Sequence, residues 1–290
     1  MAVPRRVYVF LVAGLIAASQ SANIIRIGDA HPVSIAAWRL IIATVLLAPL
    51  AGRNLKLLAT LTRREVGLLL LAGVALAAHF FAWIGAVQLT TVANAAIFFS
   101  INPVITATAG YLFFSERVTK KLAMSIALGV AGVTVMGWSD LTFSPEQLVG
   151  DGAAVLCSII FSVYFLLGKK LRQKLPTAVY VTAVYGVAAL FGIVTMLLLD
   201  LPLVDYTPRT WVCFTLMAIV PTMVGHTSFN NALQYIDAGR ISTATLSEPL
   251  LAGLVAYFVW DEMISIGAGV GYVLISGSVC VLVFDRKRSG

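Results

Sequence analysis

The sequence predicts an all-α polytopic membrane protein: ten transmembrane helices arranged as two inverted five-helix repeats. Three observations lead there. The chain has 290 residues, 60% apolar and only 11% charged, well above the apolar share of an ordinary soluble domain. Apolar stretches of about 20 residues, enough to cross a bilayer, recur from one end to the other. A pattern of polar residue, proline, tyrosine and glutamate occurs twice, at one constant offset.

Hydropathy places the spans at 7–27, 32–52, 65–88, 92–114, 119–139, 149–169, 177–199, 208–235, 240–260 and 264–284. With the N-terminus in the cytoplasm, 17 Lys and Arg residues fall in or at the ends of cytoplasmic segments and two, Arg26 and Arg209, at the outer side; Arg39 is left deep inside a span. Eight acids, including Asp140, Asp151, Asp261 and Glu262, fall on the outer side. The positive-inside rule then puts both termini in the cytoplasm. A multi-pass protein of the cell (inner) membrane is expected. The net charge of +7 follows from this topology, so no nucleic-acid partner is expected; the bilayer is the partner. The opening "MAVPRRVYVFLVAGLIAASQSA" has the look of a signal peptide but is read as the first span, because removing it would spoil the repeat. Cys157, Cys213 and Cys280 stand singly in apolar spans, without metal spacing; they read as small buried hydrophobes.

The repeat begins with "SINPVITATAGYLFFSERV" (100–118) and "LSEPLLAGLVAYFVWDEMI" (246–264). Pro103 and Pro249, Tyr111 and Tyr257, and Glu116 and Glu262 are each 146 residues apart. Gln88 and Gln234, Ala86 and Ala232, and Val74 and Val220 keep the same offset. The polar break "SDLTFSPEQLVGDG" lies between five spans and five more. This divides the chain into 1–140 and 149–290, joined by 141–148. Five is odd, so the second unit enters the membrane the other way up. Secondary transporters share that architecture and hold substrate near the midplane, where the repeats meet.

The segments "NAAIFFSINPVITATAGYLFFSERV", "GVAGVTVMGW" and "STATLSEPLLAGLVAYFVWDE", with the earlier "AAWRLIIATVLLAPL", resemble the drug/metabolite transporter superfamily, specifically its ten-helix EamA branch. The resemblance covers essentially the whole chain. It implies two EamA repeats and the transport of small organic metabolites. Members include amino-acid exporters, those of the YddG aromatic amino-acid type among them, and permeases for other metabolites. The second cassette departs from the family's usual Asn-Pro by having Glu248 before Pro249.

Proline lacks an N–H and clashes with the carbonyl four residues back. Pro103 and Pro249 are therefore expected to free the carbonyls of Phe99 and Thr245, kink their helices, and face a shared cavity, since freed backbone groups in lipid need protein or cavity water. Glu248 is the sharpest residue, because a mid-bilayer carboxylate is expensive. It reads as a proton-coupling site, as a contact for a substrate ammonium, or as a structural partner of Arg39. For Arg39 a structural or gating role is favoured, its depth matching that of Glu248 poorly. His79 and Trp83 share a helix face, as do His226 and Asn230, their counterparts within one residue. A histidine here is either a substrate or proton contact or a hydrogen-bonded packing residue. Asn102 belongs to the same polar set, with Tyr164, Asn23, Ser100, Thr106 and Thr245 as weaker candidates for the cavity wall. Trp138, Trp211 and Trp260 read as interface anchors, and Glu116 and Glu262 as caps on the helices that follow them. Gly129, Ala131, Gly132, Gly267, Gly271 and Gly277 allow close helix approach, read as packing within a monomer.

No GxxxxGK[ST], HExxH, GxSxG or magnesium-binding acid cluster is present, so neither an ATP-driven pump nor an enzyme is expected, and no cofactor. The reading is a secondary transporter of small organic metabolites, most simply an amino-acid exporter, with protons as the candidate coupling ion. The alternatives are a passive facilitator or channel, or a permease for drugs, sugars or nucleotide derivatives.

Overall fold

The computed structural model describes residues 3–138, 141, 144–145, 147–259, 261 and 263–284. These residues form ten helices long and apolar enough to cross a membrane: α1 (Arg5–Ile25), α2 (Pro32–Thr60), α3 (Arg63–Leu89), α4 (Val92–Phe114), α5 (Lys120–Gly137), α6 (Leu148–Leu171), α7 (Thr177–Leu198), α8 (Pro208–Ala232), α9 (Ala238–Val259) and α10 (Ile266–Val283). Their ends fall within a few residues of the hydropathy boundaries. The exception is α2, which runs on from Gly52 to Thr60 as a 3₁₀ turn with no buried residue. Trp260, Glu262, Asp140, Glu146 and the basic C-terminal residues 286–288 lie outside the described residues, so the anchor and cap expected at Trp260 and Glu262 do too.

Helix starts follow local chemistry. Thr62 and Glu65 form a reciprocal capping box at the start of α3, and Thr91, Thr119 and Thr207 each accept a hydrogen bond from the backbone N–H three residues on. The interruptions carry more information. α4 is two helices, Val92–Phe99 and Asn102–Phe114, with Pro103 in the first turn of the second. α9 is likewise two, Ala238–Thr245 and Glu248–Val259. The gaps, 100–101 and 246–247, are 146 residues apart, so the breaks keep the register of the repeat. The sequence predicted a kinked, broken helix in each half, and the structure shows a two-residue turn at each of the two places. A third irregularity was not anticipated. In α8 the segment Ala218–His226 is a π-helix containing Pro221; the missing N–H of a proline and a widened turn commonly coincide at functional positions.

Helices from the two halves pack against each other rather than as separate bundles. α3 lies along α6 and α7, α2 along α7, α1 along α8, and α5 along α10. Small residues permit the closest approaches. A Cβ on Gly271 would lie 2.6 Å from the Gly132 carbonyl oxygen, one on Gly129 2.4 Å from Leu246 Cδ1, and one on Gly192 2.9 Å from Ala37 Cβ. Gly129, Gly132 and Gly271 thus pack α5, α9 and α10 within one chain. Gly277 meets nothing within 4 Å and Ala131 is exposed, so these two take no part.

A buried carboxylate crosses between the halves at each end of the bundle. On the face that carries the N-terminus, Glu116 accepts from the Ala238 N–H at 3.0 Å and lies 3.5 Å from Lys169 Nζ, which also donates to the Ile236 carbonyl at 2.9 Å. Glu116 is therefore a cap, but on α9 of the other half and not on the helix that follows it, whose start Thr119 already holds. On the opposite face Asp151 accepts from Thr90 Oγ1 at 2.7 Å and from Asn94 Nδ2 at 3.1 Å. Arg172, just past α6, is 1% exposed. It donates to the carbonyls of Asn230 and Leu175, to Thr177 and to Gln234. Burial lowers its pKa to about 10, which leaves it charged at neutral pH.

Gly271→Val should lower the melting temperature of the purified protein in detergent, the clash corresponding to about 1–3 kcal/mol of overpacking. Gly277→Val should leave it within about 0.5 kcal/mol. Equal melting of the two variants would show that the α5–α10 contact is not close-packed.

Candidate functional site

The two helix breaks face one cavity of about 540 Å³ between the halves. α1 contributes Ser21 and Asn23, α3 Trp83, α4 Phe99, Ser100 and Pro103, and α9 Thr245, Glu248 and Pro249. α5 and α10 close the side with Val133, Met136 and Tyr272. The cavity extends to Arg26, to 91–93 and to 263–265, all at helix ends opposite the N-terminus. At the other end the Glu116–Lys169–Ala238 contact ties the halves together.

A chamber of about 40 Å³ continues from it, lined by Arg39, His79, Phe80, Phe161, His226 and Phe229. Ala18, Ser21, Trp83, Phe99 and Glu248 border both spaces. The chamber walls are mostly rings: His79 and Phe161 have centroids 4.7 Å apart, Phe80 and His226 4.8 Å, and His79 and His226 5.9 Å. The π-segment of α8 brings His226 to this wall and Thr222 to the Arg39 side chain behind it. Pro221 was the available signal for it, and it lacked a partner cassette in the first half.

Arg39 is 1% exposed. Its Nε donates to Thr222 Oγ1 at 2.8 Å, and its guanidinium carbon lies 3.8 Å from the centre of the Phe80 ring, an attraction of about 2 kcal/mol when desolvated. Its two terminal nitrogens have no hydrogen-bond partner among the described residues. Arg39 and Glu248 border the same chamber, which corrects the expectation that their depths do not match. They form no ion pair within 4 Å, so the structural-pair reading of Glu248 does not hold either. The Glu248 carboxylate accepts no hydrogen bond from a described residue and faces the open volume.

The remaining candidates separate into three groups. Trp83, Ser100, Thr245, Glu248, Pro103, Pro249 and Asn23 line the main cavity. Trp83 donates from Nε1 to Ser21 Oγ at 3.2 Å, a partner the sequence reading missed although "QSAN" stands out in the first span. His79 and His226 line the chamber. His79 Nδ1 faces Cys157, 3.4 Å from its carbonyl and 3.1 Å from its thiol, so Cys157 orients a histidine and is not merely a buried hydrophobe. Cys280 is exposed. His226 Nδ1 is buried without a partner.

Asn102, Tyr164, Asn230 and Thr106 line neither space. Asn102 donates to the Ser158 carbonyl and to Ser162 Oγ, each at 3.0 Å, and accepts from the Ser242 hydroxyl. It thereby joins α4 to α6 and α9. Thr106 reaches the same Ser162 at 2.8 Å. Asn230 donates to Tyr164 Oη at 2.6 Å and to the His226 carbonyl at 2.7 Å. Asn102 and Thr106 are satisfied by partners on other helices and do not face a route; the Asn230 amide N–H groups are likewise taken up, while its Oδ1 has no partner among the described residues. The Phe99 carbonyl, expected to be freed by Pro103, accepts from Ser158 Oγ at 3.0 Å, which supplies a protein partner in place of cavity water.

Asn102→Ala should destabilise the folded protein by about 1–3 kcal/mol, since it leaves the buried Ser242 hydroxyl without its acceptor. Ser100→Ala removes only a bond to its own helix, to the Ile97 carbonyl, and should change stability little. Thermal melting in detergent compares them; the reverse order would place Asn102 in the cavity wall instead.

Comparison with known proteins agrees with this architecture. A chain from Archaeoglobus fulgidus described as an uncharacterized transporter is 28% identical over 199 residues, 69% of this chain and 70% of its own length. One from Clostridium kluyveri, with the same description, is 24% identical over 90% of this chain and 87% of its own. The aromatic amino acid exporter YddG of Ancylobacter novellus is 22% identical over 72% of this chain and 73% of its own. A crystal structure superposes with a TM-score of 0.82 at 19% identity, covering 98% of this chain and 99% of the other, and shares the fold. The model of the EamA-like transporter family matches twice, at residues 5–138 and 148–284, and the chain belongs to that family.

Proposed function

We propose that the chain is a secondary transporter that exports amino acids by alternating access around a single central site. The observation that carries the proposal is the cavity at the paired breaks of α4 and α9, with the Glu248 carboxylate open to it. Two inverted units that break in register can rock against each other about a fixed site. With the N-terminus in the cytoplasm of a cell membrane, as the charge pattern indicates, the arrangement is outward-facing. The cavity reaches the outer ends of α1, α5, α9 and α10, and the cytoplasmic ends of α4, α6 and α9 are tied through Glu116. An aromatic and aliphatic wall (Trp83, Phe99, Val133, Met136) around one carboxylate suits a small molecule with a cationic nitrogen and an apolar side chain. The YddG relative, an aromatic amino acid exporter by name, supports the amino-acid class and export.

Purified protein in liposomes, preloaded with unlabelled amino acid, should accumulate the labelled threonine, methionine or phenylalanine by saturable counterflow. Absence of counterflow for all three would overturn the amino-acid reading. Glu248→Gln should lower the rate at least about tenfold through the loss of a charge-assisted contact. An imposed pH gradient that drives net transport in the wild type and not in Glu248→Gln would assign proton coupling to that carboxylate. An unchanged rate in the variant would remove Glu248 from the site.

A further inference from the structure

The small chamber behind Glu248 holds an electrostatic mismatch. One wall carries a guanidinium whose terminal nitrogens, four N–H donors, meet no acceptor although the residue is 1% exposed. Beside it, His226 Nδ1 is also unpartnered. The other boundary carries the carboxylate of Glu248, free of hydrogen bonds to described residues. Opposite charges that border one space of about 40 Å³ without touching leave both without the pairing that buried ions need. The fixings of Arg39 explain why it does not simply swing over. Nε is held by Thr222 at 2.8 Å and the plane rests on Phe80 at 3.8 Å, which leaves the buried terminal fork as the part of the side chain without a partner among the described residues.

We infer that this chamber is a head-group site, in which the fork of Arg39 receives the carboxylate of an α-amino acid and Glu248 receives its ammonium. A guanidinium fork matches a carboxylate in two parallel hydrogen bonds. The volume corresponds to about three waters at roughly 10–15 Å³ each, close to the size of an ammonium and a carboxylate on one carbon. A zwitterion is the ligand whose two charges, one carbon apart, complete both walls at once. Its side chain then projects between Trp83 and Phe99, the rings that border both spaces, into the 540 Å³ cavity. The head group is specified by charge and the side chain only by a broad apolar wall. The site therefore selects the class of substrate tightly and the individual amino acid loosely. Arg39 becomes a binding residue rather than a structural or gating one.

The inference rests on the amino-acid reading proposed above, and its test separates the two. Counterflow of labelled phenylalanine and of labelled methionine into liposomes is challenged with four competitors in each series: the amino acid, its amide, the amine lacking the carboxylate, and the acid lacking the amine (3-phenylpropionate for phenylalanine). The expected result is half-inhibition by the last three at concentrations at least about 30-fold higher than the amino acid requires, because a site built to pair a charged group strongly rejects the analogue that lacks it. Glu248→Gln should narrow the gap for the deaminated acid while the amide stays excluded. Arg39→Gln, where gel filtration shows it folded, should do the reverse. The wild-type series decides the matter even if that variant fails to fold. Amide and amino acid competing equally would overturn the head-group site while leaving an amino-acid carrier in place. No inhibition by either amino acid and no counterflow would overturn the amino-acid reading, and the head-group site with it.

Discussion

The structure depends on one constraint: a polar or charged group inside hydrocarbon has to be satisfied by the protein or open onto water. Ten helices satisfy most of the backbone internally. The two interruptions, at 100–101 and 246–247, are where that arrangement stops, and the molecule is organised around them. The Phe99 carbonyl is taken up by Ser158 of the opposite half. Asn102 brings Ser158, Ser162 and Ser242 together across three helices. The polar cost of breaking α4 is thus offset by bonds that also hold the halves in register.

The same constraint sorts buried polar residues into two kinds. Those with every partner within reach, such as Asn102 and Thr106, belong to the framework. Of those left incomplete, the Arg39 fork, His226 Nδ1 and the Glu248 carboxylate border one connected space, whereas Ser34, Tyr180, Thr182 and Asn230 Oδ1 are unpartnered among the described residues elsewhere in the bundle. A buried ion without a partner is costly. Residue type does not separate the two kinds; the neighbours do. His79 shows this within a single side chain, with Nδ1 against Cys157 and the rest of the ring on the chamber wall.

Carboxylates at the two faces show how such a fold can be closed at one end. Glu116 reaches across to the first N–H groups of α9, and Lys169 completes the contact from α6. The cavity extends to the other face, past Arg26 and Ser265. Gly110 makes the first contact possible, since a Cβ there would lie 2.6 Å from Glu116 Oε2. α4 and α9 thus each carry both a break and an end contact.

The sequence by itself determined the membrane class, the ten spans, the duplicated cassette and the positions of both breaks, because hydropathy, proline and a constant offset are local or periodic signals. It also singled out Glu248, Trp83, Thr245 and the two histidines as residues that do not suit lipid. It did not distinguish Asn102, Tyr164 and Asn230, whose partners are on other helices, from residues that line the cavity. Nor did it place Arg39 beside Glu248. Arg39 is in the second span and Glu248 in the ninth, and depth read from span boundaries is too coarse to bring them together. The π-segment around Pro221 shifted the wall of α8 without a repeat partner to announce it, and Glu116 turned out to cap a helix more than a hundred residues away. Only the tertiary structure decided these points, because whether a buried charge is paired depends on which helices pack side by side.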